Sequence, residues 1–283
     1  MQTTAWRSAA WGGLAATLVL SGCTTLGPDF ERPEAQVEEA WLEQQQPVVE
    51  AVEADYSRWW TVFDDPVLNN LIDTAYQQNL PLQVAGLRIL EARAQLAIAV
   101  GSQYPQLQQA AGALSRSRLS ENQPNFSPAV DKNFWQANAG FDASWELDFW
   151  GRFRRGVESA AANMGSQVAS YDNALVSLSA EVARVYAAIR TQQEGLAVAR
   201  ANAAIQQRGY EIADVRFRAG AVSELDPAQA LTQLRDTQAQ IPTLEGSIRQ
   251  SRNALSILLG MPPQDLTALL GEAPIPAPPA TVA

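Results

Sequence analysis

Cys23 is the only cysteine in the chain, and histidine is absent. Metal sites built from nitrogen and sulfur ligands, and acid–base catalysis by imidazole, therefore have almost no raw material. The carboxylates are scattered, and a solvated helix surface accounts for them, so neither an enzyme, a cofactor nor a metal is expected. What remains is the chemistry of one thiol at the end of an apolar run. "MQTTAWRSAAWGGLAATLVLSGC" carries one positive charge, then an uncharged, mostly apolar run from Ala9 to Leu20, then small residues up to Cys23. That run falls short of the ~20 residues that span a bilayer, so residues 1–22 read as a signal peptide.

Leu20, Ser21, Gly22 and Cys23 resemble the lipobox of bacterial lipoproteins. The resemblance implies cleavage before Cys23 and acylation of its thiol and its new amino group. An ordinary signal peptide with a chance cysteine is the alternative, and the position of the sole cysteine favours the lipoprotein. Buried acyl chain contributes ~0.8 kcal/mol per methylene, so several chains on Cys23 would hold the protein on a membrane without a spanning helix. Thr24 in place of aspartate implies, by the same resemblance, the outer membrane. The net charge of −10 repels nucleic-acid phosphates, so no nucleic-acid partner is expected.

A second pattern concerns solvent. In "WQANAGFDASWELDF", residues 135–149, Trp135, Ala137, Ala139, Phe141, Ala143, Trp145, Leu147 and Phe149 alternate with Gln136, Asn138, Asp142, Ser144, Glu146 and Asp148. Alternation with aromatic residues towards both ends suits a strand with lipid on one face and water on the other, although its length exceeds the ~9–11 residues that cross hydrocarbon. A half-buried strand of a soluble sheet also alternates. The antiparallel partner is expected in "QLQQAAGALSRSRLS", joined through the polar, proline-containing loop "ENQPNFSPAVDKN".

Long helices must position such a hairpin. Composition rich in Ala, Gln, Leu and Arg favours them. Pro66 and Pro81 mark the first turns of two helices, the second carrying a stripe of Leu87, Leu90, Ala94, Ala97, Gly101 and Tyr104 that Pro105 ends. From Val157 to Phe217 one row keeps four-three spacing through Ala161, Met164, Val168, Tyr171, Leu175, Leu178, Val182, Val185, Ile189, Gln192, Leu196, Ala199, Ala203, Gln206, Tyr210 and Ala213, a helix of roughly 100 Å. A second row, with Val176, Val198, Ile205, Ile212 and Val215, lies about 150° around it, which suits a helix with neighbours on both sides. Alanines on that row could instead supply helix propensity alone. "RFRAGAVSELDP" turns the chain back: Gly220 can end a helix, Ser223 or Asp226 can cap the next, and Pro227 suits its first turn. The return helix repeats the spacing from Ala230 to Leu258, with Pro242 expected to kink it. The fold class is thus mainly α with a two-stranded β-hairpin, combining long antiparallel coiled-coil helices and membrane β-barrel strands.

Cys23, "GPDFERP", "WWTVFDDPVLNNLIDTA", "SWELDFWGRFRRGVESA", "RFRAGAVSELDPAQA" and "LEGSIRQSRNALSILLGMPP", in this order, resemble the outer-membrane factor family, the TolC-like channels of resistance-nodulation-division efflux pumps. The resemblance implies a trimeric β-barrel in the outer membrane continued by an α-barrel across the periplasm. A periplasmic adaptor and an inner-membrane pump would be its partners. The face carrying Trp135, Phe141, Trp145 and Phe149 would meet outer-membrane lipid, and the turn with Gly220, Ser223 and Asp226 would lie near the adaptor. The expected division is a signal peptide (1–22), a lipidated extension (23–64), one repeat (65–273, hairpin at about 106–149, long helical hairpin 151–259) and a Pro-rich linker or truncated end (274–283).

Family members carry two tandem repeats, whereas this chain holds one. Three such chains would offer about six strands, fewer than the ~8 of the smallest bacterial barrels. About six copies, a second half from another chain, or a truncated half-channel are the options, and truncation is expected. The competing classes are a periplasmic adaptor, also often lipidated and built on a helical hairpin, and a structural envelope lipoprotein that tethers membrane to wall through a long coiled coil.

Overall fold

The computed structural model describes residues 25–31, 33–34, 56–129 and 131–277 of the 283. Cys23 and the signal-peptide segment lie outside the described residues. A short 3-10 segment, Tyr56–Phe63, precedes helix α1 (Pro66–Gln78) and helix α2 (Leu80–Gly101). Strands β1 (Leu107–Arg118) and β2 (Asn133–Ser144) follow, then α3 (Arg152–Arg218), α4 (Leu225–Leu258) and the single turn α5 (Thr267–Leu270). None of the described helices is long and apolar enough to cross a membrane.

The described residues fall into two compact units. One holds those up to Pro33 with Arg88–Val168, and the other those of Glu34–Leu87 with Ala169–Ala283.

The core lies in the second unit. Trp60, Leu68, Leu71, Ile72, Val182, Tyr186, Ile189, Leu255, Leu259 and Leu270 are all buried there. Each large aliphatic side chain removed from water contributes about 1.5–3 kcal/mol. Local chemistry sets the helix ends around this core. Pro66 opens α1, and the Asp65 carboxylate accepts from the backbone N–H of Val67 at 2.8 Å and of Leu68 at 3.1 Å. Asn79 serves two helices: its Oδ1 accepts from Leu82 N at 2.9 Å, and its Nδ2 donates to the Leu258 carbonyl at 2.9 Å. Two otherwise orphaned backbone groups at helix ends are thereby satisfied.

Helices α3 and α4 pack antiparallel in this unit. Arg200 pairs with Glu245 at 2.7 Å, and Ser251 donates to Gln192 at 3.1 Å, so the partner's number rises as that on α3 falls. The middle of the four-three row of α3 faces inward as expected, with Leu178, Val182, Val185, Ile189, Ala199 and Ala203 buried, whereas Ala161, Val168 and Phe217 of the same row are exposed. Leu234, Thr237, Ile248 and Leu255 answer from α4, which continues past Pro242. The valines and isoleucines of the second row of α3 face outward in the single chain, Val176, Val198, Ile205, Ile212 and Val215 being exposed, while Ala183 and Ala187 of that row are half-buried.

Helix α2 differs from the expected stripe. Leu82, Ala85, Gly86, Ile89, Ala92, Leu96 and Ala99 point inward or sit half-buried, while Leu87, Leu90, Ala94, Ala97, Gly101 and Tyr104 are exposed. "LPLQVAGLRILEARAQLAIAVG" is apolar around most of its circumference, so periodicity fits either row.

The turn between α3 and α4 closes as a Schellman motif. Gly220 has φ +71°, its N–H donates to Phe217 O at 2.9 Å, and Ala221 N donates to Arg216 O at 2.9 Å. Ser223 and Asp226 do not cap α4: Glu224 occupies the cap without a side-chain bond. The Ser223 hydroxyl donates instead to Asp226 Oδ2 at 3.0 Å, which spends the carboxylate within the turn.

Candidate membrane-facing site

β1 and β2 pair antiparallel from Leu107↔Ser144 to Arg118↔Asn133 without a break in register. Because side chains alternate across a strand, this register sorts the hairpin into two faces. One gathers Trp135, Ala137, Ala139, Phe141 and Ala143, with Leu114, Gly112 and Ala110 opposite the middle three and Arg116 and Gln108 opposite Trp135 and Ala143. The other gathers Gln136, Asn138, Asp142 and Ser144 with Gln109, Ser115 and Ser117, with Ala111, Gly140 and Ala113 among them and Leu107 and Phe134 at its ends. β1 alternates weakly by itself: the pairing puts Ala110 and Leu114 on the apolar side and Leu107, Ala111 and Ala113 on the other. Both faces are exposed, Trp135 by 65% and Phe141 by 69%.

The ladder ends at Ser144, short of the alternating stretch. Side chains then take over the backbone groups. Gln106 Oε1 accepts from Glu146 N at 2.8 Å, the Trp145 indole donates to Gln103 O at 3.1 Å, and Asp148 accepts from Arg154 N at 2.9 Å. Trp145 and Phe149 consequently sit in the strand-to-helix connection, exposed but outside the sheet.

At that connection the residues Thr25–Glu31 lie against the start of α3. Arg155 uses its whole donor fork on them: Nε to Leu26 O at 3.1 Å, one terminal nitrogen to Gly27 O at 2.6 Å, the other to Asp29 at 2.9 Å and to Glu158 at 2.5 Å. The Phe30 N–H donates to Glu158, and Leu26 N donates to Trp150 O at 3.1 Å. The hydrogen bond with Glu158, then that with Asp29, holds the Arg155 guanidinium charged above its usual range against some desolvation. The Arg155 and Phe30 donors hold the Glu158 carboxyl below its usual range. Sequence reading missed this cluster; its signal was the basic run "GRFRR" immediately after the alternating stretch.

Among the described residues no group of side chains could hold a metal ion. An exposed two-stranded sheet whose β2 alternates apolar and polar side chains, followed in the chain by long helices, is the architecture the hairpin and helices define.

Known proteins point the same way. Residues 71–261 match the family described as "Outer membrane efflux protein", and the chain belongs to that family. "Nodulation protein T" of Rhizobium leguminosarum bv. trifolii is 32% identical over 249 residues, covering 87% of this chain and 51% of that protein. "Probable outer membrane lipoprotein SilC" of Salmonella typhimurium is 28% identical over 248 residues, covering 87% and 52%. The solved outer-membrane channel OprN superposes with a TM-score of 0.77 at 28% identity, over 92% of this chain and 58% of that one. The chain spans about half the length of the curated relatives it matches.

Proposed function

We propose that the chain forms part of the wall of an outer-membrane efflux conduit and does no covalent chemistry of its own. The face of Trp135, Ala137, Ala139 and Phe141, joined by Leu114, meets lipid, and the face of Gln136, Asn138 and Asp142 meets water in the pore. Trp145 and Phe149 lie at the periplasmic edge of the same lipid-facing surface. The alternation of β2, with Leu114 and Ala110 of β1 opposite Ala137 and Phe141, carries this reading. Lipid on Cys23 anchors the chain to the outer membrane, in keeping with the lipoprotein SilC. The long α3–α4 hairpin extends into the periplasm, and the exposed turn of Gly220, Ser223 and Asp226 meets a periplasmic adaptor coupled to an inner-membrane pump. Small solutes then pass outward through the conduit.

Two strands leave open edges, and unsatisfied backbone groups in hydrocarbon cost several kcal/mol each. Other strands must therefore pair with β1 and β2, supplied by further repeats of the same unit. The exposed row of Val198, Ile205 and Ile212 calls for neighbouring helices in the same assembly.

Cysteines placed at Phe141 and Asp142 test the assignment in intact membranes. A membrane-confined maleimide should label Phe141→Cys, and a water-soluble one Asp142→Cys. Equal aqueous labelling of both positions would remove the lipid-facing assignment.

A further inference from the structure

The structure assigns to Arg155 a specific role, that of locking Thr25–Glu31 as a strap onto the start of α3, so that the lipid-bearing end of the chain enters the membrane beside an exposed aromatic cluster at the strand-to-helix connection. This rests on the lipoprotein reading of Cys23. The strap lies outside the matched residues 71–261, and its contacts are too many for a chance crossing. One guanidinium engages two strap carbonyls and the strap carboxylate of Asp29 while holding Glu158, which accepts the Phe30 N–H. Lysine, a point charge with three donors, cannot reproduce that fork.

Gly151 supplies an independent constraint. It has φ +81°, and a Cβ there would run into Thr25, so the backbone of the connection is shaped for the strap's close approach. The strap and connection are also tied by the Leu26 N–H to Trp150 O bond.

What surrounds the strap argues for a bilayer interface as its partner. Trp150 is 61% exposed and Leu26 63% exposed, and Trp145 and Phe149 beside them are exposed as well. Tryptophan favours the headgroup level, where one part of the ring is apolar and another wet. Arg152, the exposed first residue of α3, pairs with Glu146 of the connection at 3.3 Å. Two peptide units separate Thr25 from Cys23 in sequence, a reach of at most ~7 Å. Docking the strap therefore sets where acyl chains enter relative to these rings, and anchor and strand insert as one body.

The test uses the full chain, exported with its own leader and labelled with radioactive palmitate. Spin labels on Glu31→Cys and Ser159→Cys report strap docking by electron–electron distance measurement, in detergent and in phosphatidylethanolamine–phosphatidylglycerol vesicles. A fluorophore on Leu26→Cys reports depth through quenching by brominated phospholipid. The unaltered lock should give one short, narrow distance and strong quenching. Arg155→Met should lose both, with palmitate incorporation and helical circular dichroism unchanged; Glu158→Gln, which preserves shape, should broaden the distance. A narrow distance that survives Arg155→Met, or a broad one before any change to the lock, overturns the proposal. A narrow distance without palmitate on the protein overturns the lipoprotein reading while supporting the strap lock itself.

Discussion

Arg116 and Trp135 stand directly opposite each other on the ladder, and the Arg116 guanidinium lies over the indole, 5.7 Å from the ring centroid. Such a pair marks the place where the apolar face of the hairpin gives way to charge, next to the polar 119–132 connection. Cation–π contact holds the guanidinium near the ring while its hydrogen-bonding edge stays available to water or phosphate. Inward from that pair the apolar face carries Leu114, Gly112, Ala110 and the alanines and phenylalanine of β2, with Gln108 opposite Ala143 at its far end.

Ala139 sits in the middle of this face, so if the face meets lipid as proposed, Ala139→Arg puts a cation at the depth where lipid is least tolerant. The expected loss is about 2–4 kcal/mol of stability in the membrane. Asn138→Arg, one residue away on the polar face, should cost little. Urea titration of vesicle-reconstituted protein reads the difference, and equal losses for the two variants would contradict the two-faced assignment.

Tyr186 donates its hydroxyl to Asp65 Oδ2 at 2.7 Å while the other carboxylate oxygen caps α1. Tyr186→Phe leaves a buried carboxylate oxygen without that donor and should cost about 1–3 kcal/mol in chemical unfolding. Burial first, and the Asp65 bond second, push the Tyr186 hydroxyl above its usual range. The stability linked to this group is therefore fully present below the unfolded tyrosine value and disappears as pH rises through the higher folded one. Ultraviolet titration should show one tyrosine ionising late, and Tyr186→Phe should abolish that step.

Part of this architecture is legible in the sequence because it follows a period. The inward row of α3 and its answer on α4 come from apolar residues at four-three spacing. Gly220 reads as a helix end because the left-handed conformation is easy for glycine, and the turn uses it. Periodicity fails on α2, where two apolar rows compete and packing against α3 selects the one containing Ile89 and Ala92. It also overruns β2, since Trp145 and Phe149 keep the alternation while side chains such as Gln106 claim the backbone beyond Ser144. The Arg155 cluster is illegible for a different reason: its partners lie more than a hundred residues apart, and no local pattern joins Gly27 to Arg155.

Gly260 and Gly220 share φ +71° but differ in surroundings. A Cβ at Gly220 meets open space, whereas one at Gly260 collides with the Gln78 backbone. Gly220→Ala should therefore cost only the left-handed strain of about 1–2 kcal/mol. Gly260→Ala adds displacement of α1 and should lower the unfolding midpoint clearly further. Similar midpoints for the two would mean that α1 yields at no cost.

Strap docking should also depend on pH through Glu158. Its carboxyl is held below the usual range by the bonds from Arg155 and Phe30, with Asp29 facing the same guanidinium from the strap. A carboxylate with a depressed value contributes above its unfolded pKa and loses that contribution as pH falls through the folded one. The strap should thus remain docked at neutral pH and detach only in acid, below the ordinary glutamate range. Proteolysis at the strap across a pH series reads this, and Glu158→Gln should flatten the profile.

Ile205 and Ile212 lie on the outward row of α3, 69% and 61% exposed, one helical repeat of seven residues apart. Single exposed aliphatics are ordinary on a protein surface, but a row that continues through Val198 and Val215 exceeds that pattern. Replacing Ile205 and Ile212 together by serine removes no buried contact within the chain, so unfolding of the isolated chain should shift by no more than about 0.5 kcal/mol per site. Leu234→Ala, in the packed row of α4 at 1% exposure, should cost about 2–5 kcal/mol under the same conditions. Assembly should show the reverse order. If α3 needs neighbours on both sides, the serine pair abolishes higher oligomers seen by native mass spectrometry of detergent-solubilised membranes, while the folded fraction of Leu234→Ala still associates. Unchanged oligomers in the serine pair would make the second row a solvent-facing accident and remove the helical-ring part of the proposed conduit.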